Sequence, residues 1–118
     1  MPTPEKKVKG HVAEVLTELG AYWFYPATGG YGRNGVPDIV ACWNGRFIGI
    51  ECKAGSGKVT ALQERELGRI EDSGGISLIY REPGSTPELL KILLETMQAK
   101  WLDRYDENLL IGGTGEDM

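Results

Sequence analysis

Histidine is nearly missing from this chain. His11 is the only one in 118 residues, and Cys42 and Cys52 are the only cysteines. A structural zinc site draws four Cys or His ligands at short spacing, so this inventory excludes one. Cys42 and Cys52 do not form a CxxC pair, and two reduced, mostly buried thiols are expected. No apolar run approaches the ~20 residues that cross a bilayer, and the opening MPTPEKKVKG carries no secretion-signal core. A cytosolic protein with no membrane partner is expected. A basic surplus is missing as well: the net charge of −4 on its face argues against nucleic acid. Residues 1–80, however, hold nine acids and nine bases, whereas residues 81–118 hold eight acids and four bases. The whole excess lies in the last third. If several acids of the first part held a cation, the surface around them would be locally basic.

What the chain does contain organises into one domain, residues 1–105, and an acidic, flexible tail, 106–118. Thr3 and Pro4 suit the start of a helix and Gly20 its stop, with Val8, Val12, Val15, Leu16 and Leu19 in a stripe roughly 100° wide. Glu5 falls inside that stripe and is expected to face the interior. A short strand over 21–25 follows, then the Gly-rich loop PATGGYGRNGV. T60-A-L-Q63 has the form of a capping box opening a second helix, whose stripe is Leu62, Leu67 and Ile70. ISLIY reads as a buried strand. A last helix behind Thr86 and Pro87 carries Leu90, Leu94, Met97 and Trp101 along one face. The order α-β-β-β-α-β-α implies an α/β fold, a mixed sheet flanked by helices. G-S-G-K-V-T at 55–60 is not a P-loop, because Val59 stands where that motif needs Ser or Thr.

Residues 35–55, GVPDIVACWNGRFIGIECKAG, place Asn44-Gly45 between two strand-like runs, the strongest short hairpin signal available. In that register Trp43 faces Arg46, Ala41 faces Ile48, Ile39 faces Ile50, and Asp38 faces Glu51. Lys53 joins the acidic side by alternation, and Gly49 is expected to leave room beside the two carboxylates. Two ionised carboxylates about 5 Å apart repel by roughly 3 kcal/mol at an effective dielectric near 20. One diagonal lysine cannot satisfy both. A hard divalent cation can, and an all-oxygen site suits Mg²⁺ or Mn²⁺. Glu5 is the expected third acid. A surface ladder of ion pairs would read the same in sequence, but it does not account for Gly-Val-Pro before Asp38 or for an inward Glu5.

The ordered set E…G-V-P-D…I-E-C-K…Q resembles the PD-(D/E)XK nuclease superfamily. More closely it is similar to the small stand-alone VRR-Nuc domains of phages and bacteria, over roughly residues 4–80. The resemblance implies a restriction-endonuclease-like fold and metal-dependent hydrolysis of DNA phosphodiesters. By position Glu5, Asp38 and Glu51 would hold the Mg²⁺ or Mn²⁺, with the Cys52 backbone carbonyl beside them. Cysteine at that middle position departs from the more usual aliphatic residue, at a place where only main chain is needed. Lys53 would assist the attacking water, and Gln63 would either orient the lysine or serve the helix cap alone. Arg33, Lys58, Lys6 and Lys9 are candidate phosphate contacts and Tyr31 a stacking partner. The implied substrate is branched DNA, above all the four-way Holliday junction in DNA repair. The protein would act as a homodimer in a prokaryotic or phage-infected cell. The alternative is a non-catalytic nucleic-acid-binding module, which would have lost an acid or the lysine.

Overall fold

The computed structural model describes residues 3–27 and 33–104, with side chains to residue 100. Tyr31, the Trp101 side chain and the 106–118 tail lie outside what it describes. Helix α1 runs Pro4–Glu18, strand β1 Tyr22–Phe24, β2 Ile39–Trp43, β3 Arg46–Ala54, helix α2 Ala61–Asp72, strand β4 Ile76–Glu82 and helix α3 Pro87–Arg104. The α-β-β-β-α-β-α order expected from the sequence is the order observed. The Thr3 side chain accepts from the Lys6 N–H and so caps α1, with Pro4 in the first turn.

The sheet order is β1-β2-β3-β4. β1–β2 and β2–β3 are antiparallel, and β3–β4 is parallel, joined by the crossover through α2 that parallel neighbours need. Asn44 (φ 50°) and Gly45 (φ 82°) are both left-handed, so they turn the hairpin in two residues and fix its register. Ile39 pairs with Ile50, Ala41 with Ile48 and Trp43 with Arg46, as the turn dictates. Alternation then sends Ile39, Ala41, Ile48, Ile50 and Cys52 to one face, where Val8, Val12 and Leu16 of α1 and Leu90 and Leu94 of α3 bury them. Glu82 ties α1 to β4: it accepts the Tyr80 hydroxyl at 2.6 Å, and its oxygens lie 2.9 and 2.8 Å from His11 Nδ1. Burial raises the Tyr80 hydroxyl's pKa, and the Glu82 carboxylate raises it further.

Helix α2 packs on the opposite face against β3 and β4. Gly49 does not open a space there. A Cβ at 49 would lie 2.5 Å from Ile70 Cδ1 and 3.0 Å from Pro37 Cγ, so the missing side chain is what lets α2 and the 33–37 segment close on the sheet. Leu62, expected in the buried stripe of α2, is 43% exposed, while Glu66 is buried beside Leu67. Cys42 is exposed and only Cys52 is buried; both are free.

Gly35 sets the approach to Asp38. Its φ is +82°, and a Cβ would stand 2.6 Å from the carbonyl carbon and oxygen of Leu62. Gly35→Ala therefore combines left-handed strain with a clash against helix backbone, at an expected cost of about 2–4 kcal/mol. A thermal melt should drop by roughly 10 °C. A melt within a degree of wild type would mean that the segment is not pinned to α2.

Candidate active site

Asp38 immediately precedes β2, where the hairpin ladder has run out of partners. Its Oδ2 accepts the Cys52 N–H at 2.8 Å and so completes the ladder with a side chain. Its Oδ1 lies 3.4 Å from Lys9 Nζ, which reaches across from α1. Glu51 comes from the middle of β3 and is 2% exposed. Its Oε2 accepts Gln63 Nε2 at 2.9 Å and lies 3.3 Å from Lys53 Nζ. Its Oε1 is buried with no hydrogen-bond partner. Lys53 Nζ donates to Gln63 Oε1 at 3.0 Å.

Gln63 does both things the sequence allowed. Its N–H donates to Thr60 Oγ1 at 3.2 Å and its Oε1 accepts the Thr60 N–H at 2.9 Å, which is a complete capping box. The same amide then spans Lys53 and Glu51, so the first turn of α2 is fastened to β3 through the two charged groups.

Burial first, and then the Asp38 charge, raise the Glu51 pKa to about 7, with Lys53 opposing them only in part. Burial first, together with the Asp38 and Glu51 charges, likewise raises the Cys52 thiol to about 12. The thiol stays protonated, on the core face of the strand. The donors are therefore carboxylate oxygens, and the unpartnered ones point to what they suit. Glu51 Oε1 is a buried acceptor without a donor, and Asp38 Oδ1 holds only a lysine. This oxygen set fits Mg²⁺ or Mn²⁺, which bind through one or two carboxylates and keep several waters.

Other expected site residues are placed differently. Glu5 is exposed, not inward. Among the described residues no three acids, histidines or cysteines gather where an ion could sit, so Glu5 does not join the pair. The helical period put it in the angular range of the apolar stripe, but burial on α1 begins only at Val8. Lys9, one turn beyond Glu5, is the α1 side chain that reaches the site. Lys6 and Lys58 are exposed. Arg33 is not a lone surface cation: it donates to Glu66 Oε2 at 2.9 Å.

Glu66 escaped the sequence reading altogether. It is 6% exposed, and its Oε2 also lies 3.5 Å from Arg69 and 3.7 Å from Arg65. The signal was there: Glu66 falls between Gln63 and Ile70 on the inward side of α2, with an arginine three residues on.

Among the described residues no helix is long and apolar enough to cross a membrane. No family model matches the chain. A protein named "Putative nuclease p44", from Acyrthosiphon pisum secondary endosymbiont phage 1, is 39% identical over 69 residues, spanning 56% of this chain and 70% of that one. A solved VRR_NUC domain matches with a TM-score of 0.63 at 23% identity, over 80% of this chain and 97% of that chain. Hjc of Archaeoglobus fulgidus, a Holliday junction resolvase from an archaeal hyperthermophile, matches with a TM-score of 0.50 at 18% identity, over 67% of this chain and 70% of that one. The chain therefore belongs to the same family as the phage protein named a putative nuclease, and it has the fold of a VRR_NUC domain.

Proposed function

We propose that this nuclease hydrolyses phosphodiester bonds in branched DNA, four-way junctions foremost, with Mg²⁺ or Mn²⁺ held at the Asp38–Glu51 pair. The observation that carries the reading is Glu51: a buried carboxylate with one oxygen unpartnered, set against a second carboxylate and flanked by a lysine. A group so placed destabilises a fold unless a cation or a proton completes it. Asp38, Glu51 and the Cys52 carbonyl would hold the ion. Such an ion neutralises charge on a phosphate and acidifies a water.

The remaining chemistry belongs to the chain. An ammonium has three N–H donors, and Lys53 directs two of them at Gln63 and Glu51. The third is available to the attacking water or to a phosphate oxygen, where negative charge grows as the P–O bond breaks. Gln63 keeps Lys53 from swinging away by accepting a hydrogen bond from its ammonium and donating one to Glu51. The Cys52 N–H fixes the Asp38 carboxylate by one oxygen and leaves the other facing outward. Arg33, Lys6, Lys9, Lys58 and Tyr31 are the proposed DNA contacts, Lys9 exchanging Asp38 for phosphate as the site fills. A homodimer suits a four-way junction, because twofold symmetry sets two sites for two symmetric cuts. The resolvase named among the structural neighbours supports that choice of substrate.

The test is cleavage of an end-labelled four-way junction in Mg²⁺, Mn²⁺ or EDTA, with Asp38→Ala alongside. Cutting is expected in either metal, none in EDTA, and a loss of at least about 10³-fold in the variant. Wild-type protein that cuts no junction, flap or duplex in either metal would falsify the reading.

A further inference from the structure

The sheet face that carries Glu51 is only half covered. Tyr22 pairs with Cys42 and Cys42 with Phe47, so these side chains make one row across β1, β2 and β3 on the Glu51 side. α2 packs on β3 and β4, coming up beside Phe47 and leaving the β1 and β2 part of the row bare. Tyr22 is 73% exposed, Phe47 47%, and Phe24, two residues along β1 from Tyr22, 48%. The Tyr22 and Phe24 rings meet edge to face at 6.1 Å. Exposed rings gathered on one face mark a contact surface, whereas single exposed apolar residues need no explanation.

The rim of this surface identifies the occupant. Phe47 forms one wall of a cavity of about 370 Å³, with Arg33, Arg69, Ile70 and Ser73 around it and Glu66 behind. Glu66 Oε2 gathers three guanidiniums, Arg33 at 2.9 Å, Arg69 at 3.5 Å and Arg65 at 3.7 Å. One carboxylate against three arginines leaves two positive charges in surplus. The carboxylate is buried while the Arg33 and Arg69 side chains are 56% and 59% exposed, so the fixed end of each pair is inside and the cation is presented outward. Each guanidinium has five donors, of which a bond to one oxygen uses a part.

Flat apolar rings beside outward cations match an unpaired nucleotide: the base has a π-face to stack and the phosphate an anion to pair. A paired duplex keeps its base faces inside the helix and would use only the arginines. A second copy of this chain would bring an identical set of arginines against these. Phe47 and Glu51 are four residues apart on one strand and on the same side, about 13 Å. A strand seated on the rings therefore reaches the acid pair within a few nucleotides.

We infer that the Tyr22–Phe47 row, with Arg33 and Arg69 at its edge, binds unpaired nucleotides of the substrate strand and favours DNA with an open branch or tail over fully paired DNA. This rests on the nuclease reading above and adds a substrate preference to it.

The test is fluorescence anisotropy in buffer free of divalent cations, comparing a blunt duplex with the same duplex bearing a single-stranded tail that contains 2-aminopurine. Phe47→Ala is expected to weaken tailed binding about 5-fold or more and leave blunt binding unchanged. Phe47→Tyr, which keeps the ring, should restore both affinity and the 2-aminopurine quenching. Arg69→Ala should lower the slope of log affinity against log salt by about one. Tyr22→Ala, at an exposed position of the edge strand, gives the same contrast should Phe47→Ala fail to fold. Equal loss on both DNAs, or no loss on either, overturns the inference. So does a change from dimer to monomer mass in Phe47→Ala, which would assign the row to contact between copies. Binding here requires no catalysis. A wild type that cuts nothing but still shows the tail-specific Phe47 effect would sink the nuclease reading alone. Junction cutting with no Phe47 effect would sink this inference alone.

Discussion

Lys53→Met is expected to slow junction cleavage by about 10²–10³-fold while the protein stays folded. Methionine nearly matches the aliphatic stem of lysine, so packing changes little at a side chain only 13% exposed. What is lost is the ammonium, which lies 3.3 Å from Glu51 and donates at 3.0 Å to Gln63. Two effects follow. In the proposed reaction the charge growing on the phosphate would lose a protein donor, and Glu51 loses the neighbour that lowers its pKa. The second effect alone would be overcome by more Mg²⁺ or higher pH, so single-turnover rates at saturating metal isolate the first. Gln63 separates position from charge in the same assay. Gln63→Glu keeps a residue that completes the capping box but sets a third carboxylate against Glu51, so activity should fall with little change in melting temperature. Gln63→Ala should lose activity and also about 1 kcal/mol of stability through the cap. A Lys53→Met protein that cuts within a few-fold of wild type would reduce the lysine to a surface ion pair.

The acid pair was legible because the hairpin is governed by local rules. Asn44-Gly45 can turn in only a few ways, the turn fixes the register, and alternation assigns the faces. Nothing distant enters that chain of reasoning, so Asp38, Glu51 and Lys53 could be brought together on paper. The capping of α1 by Thr3 and of α2 by Thr60 and Gln63 was legible for the same reason.

The failures all needed knowledge of where one element ends relative to another. Periodicity gives the angle of Glu5 about the α1 axis but not where along the helix burial begins, and it begins at Val8. Gly49 announces a missing side chain, yet only the packing of α2 shows that Ile70 and Pro37 occupy the space. Cys42 alternates correctly to the Glu51 face, but its exposure follows from α2 stopping short of β2. Glu66 looked like one more charge on a helix. It is buried, and Arg33 reaches it from a loop thirty-three residues away.

Without divalent cations, the melting temperature is expected to fall as pH rises from about 4.5 through 7, by more than Glu51→Gln loses over the same interval. The Glu51 carboxyl titrates near 4.5 in the unfolded chain and near 7 in the fold, where burial and the Asp38 charge hold its proton on. Between those values the folded state binds the extra proton, so each rise in pH favours unfolding. The full interval corresponds to about 3 kcal/mol, or several degrees of melting temperature. Glutamine has no proton to lose at that position, which removes this component of the slope while other carboxylates keep theirs. An ion at the pair requires ionised Glu51, so Mg²⁺ or Mn²⁺ should stabilise the wild type more at pH 8 than at pH 5. Glu51→Gln should gain little at either pH. Differential scanning fluorimetry across this grid of pH and cation reads the coupling directly, without DNA. Parallel pH curves for the two proteins, or equal stabilisation by the cation, would mean that the buried carboxylate neither holds the proton nor receives the ion.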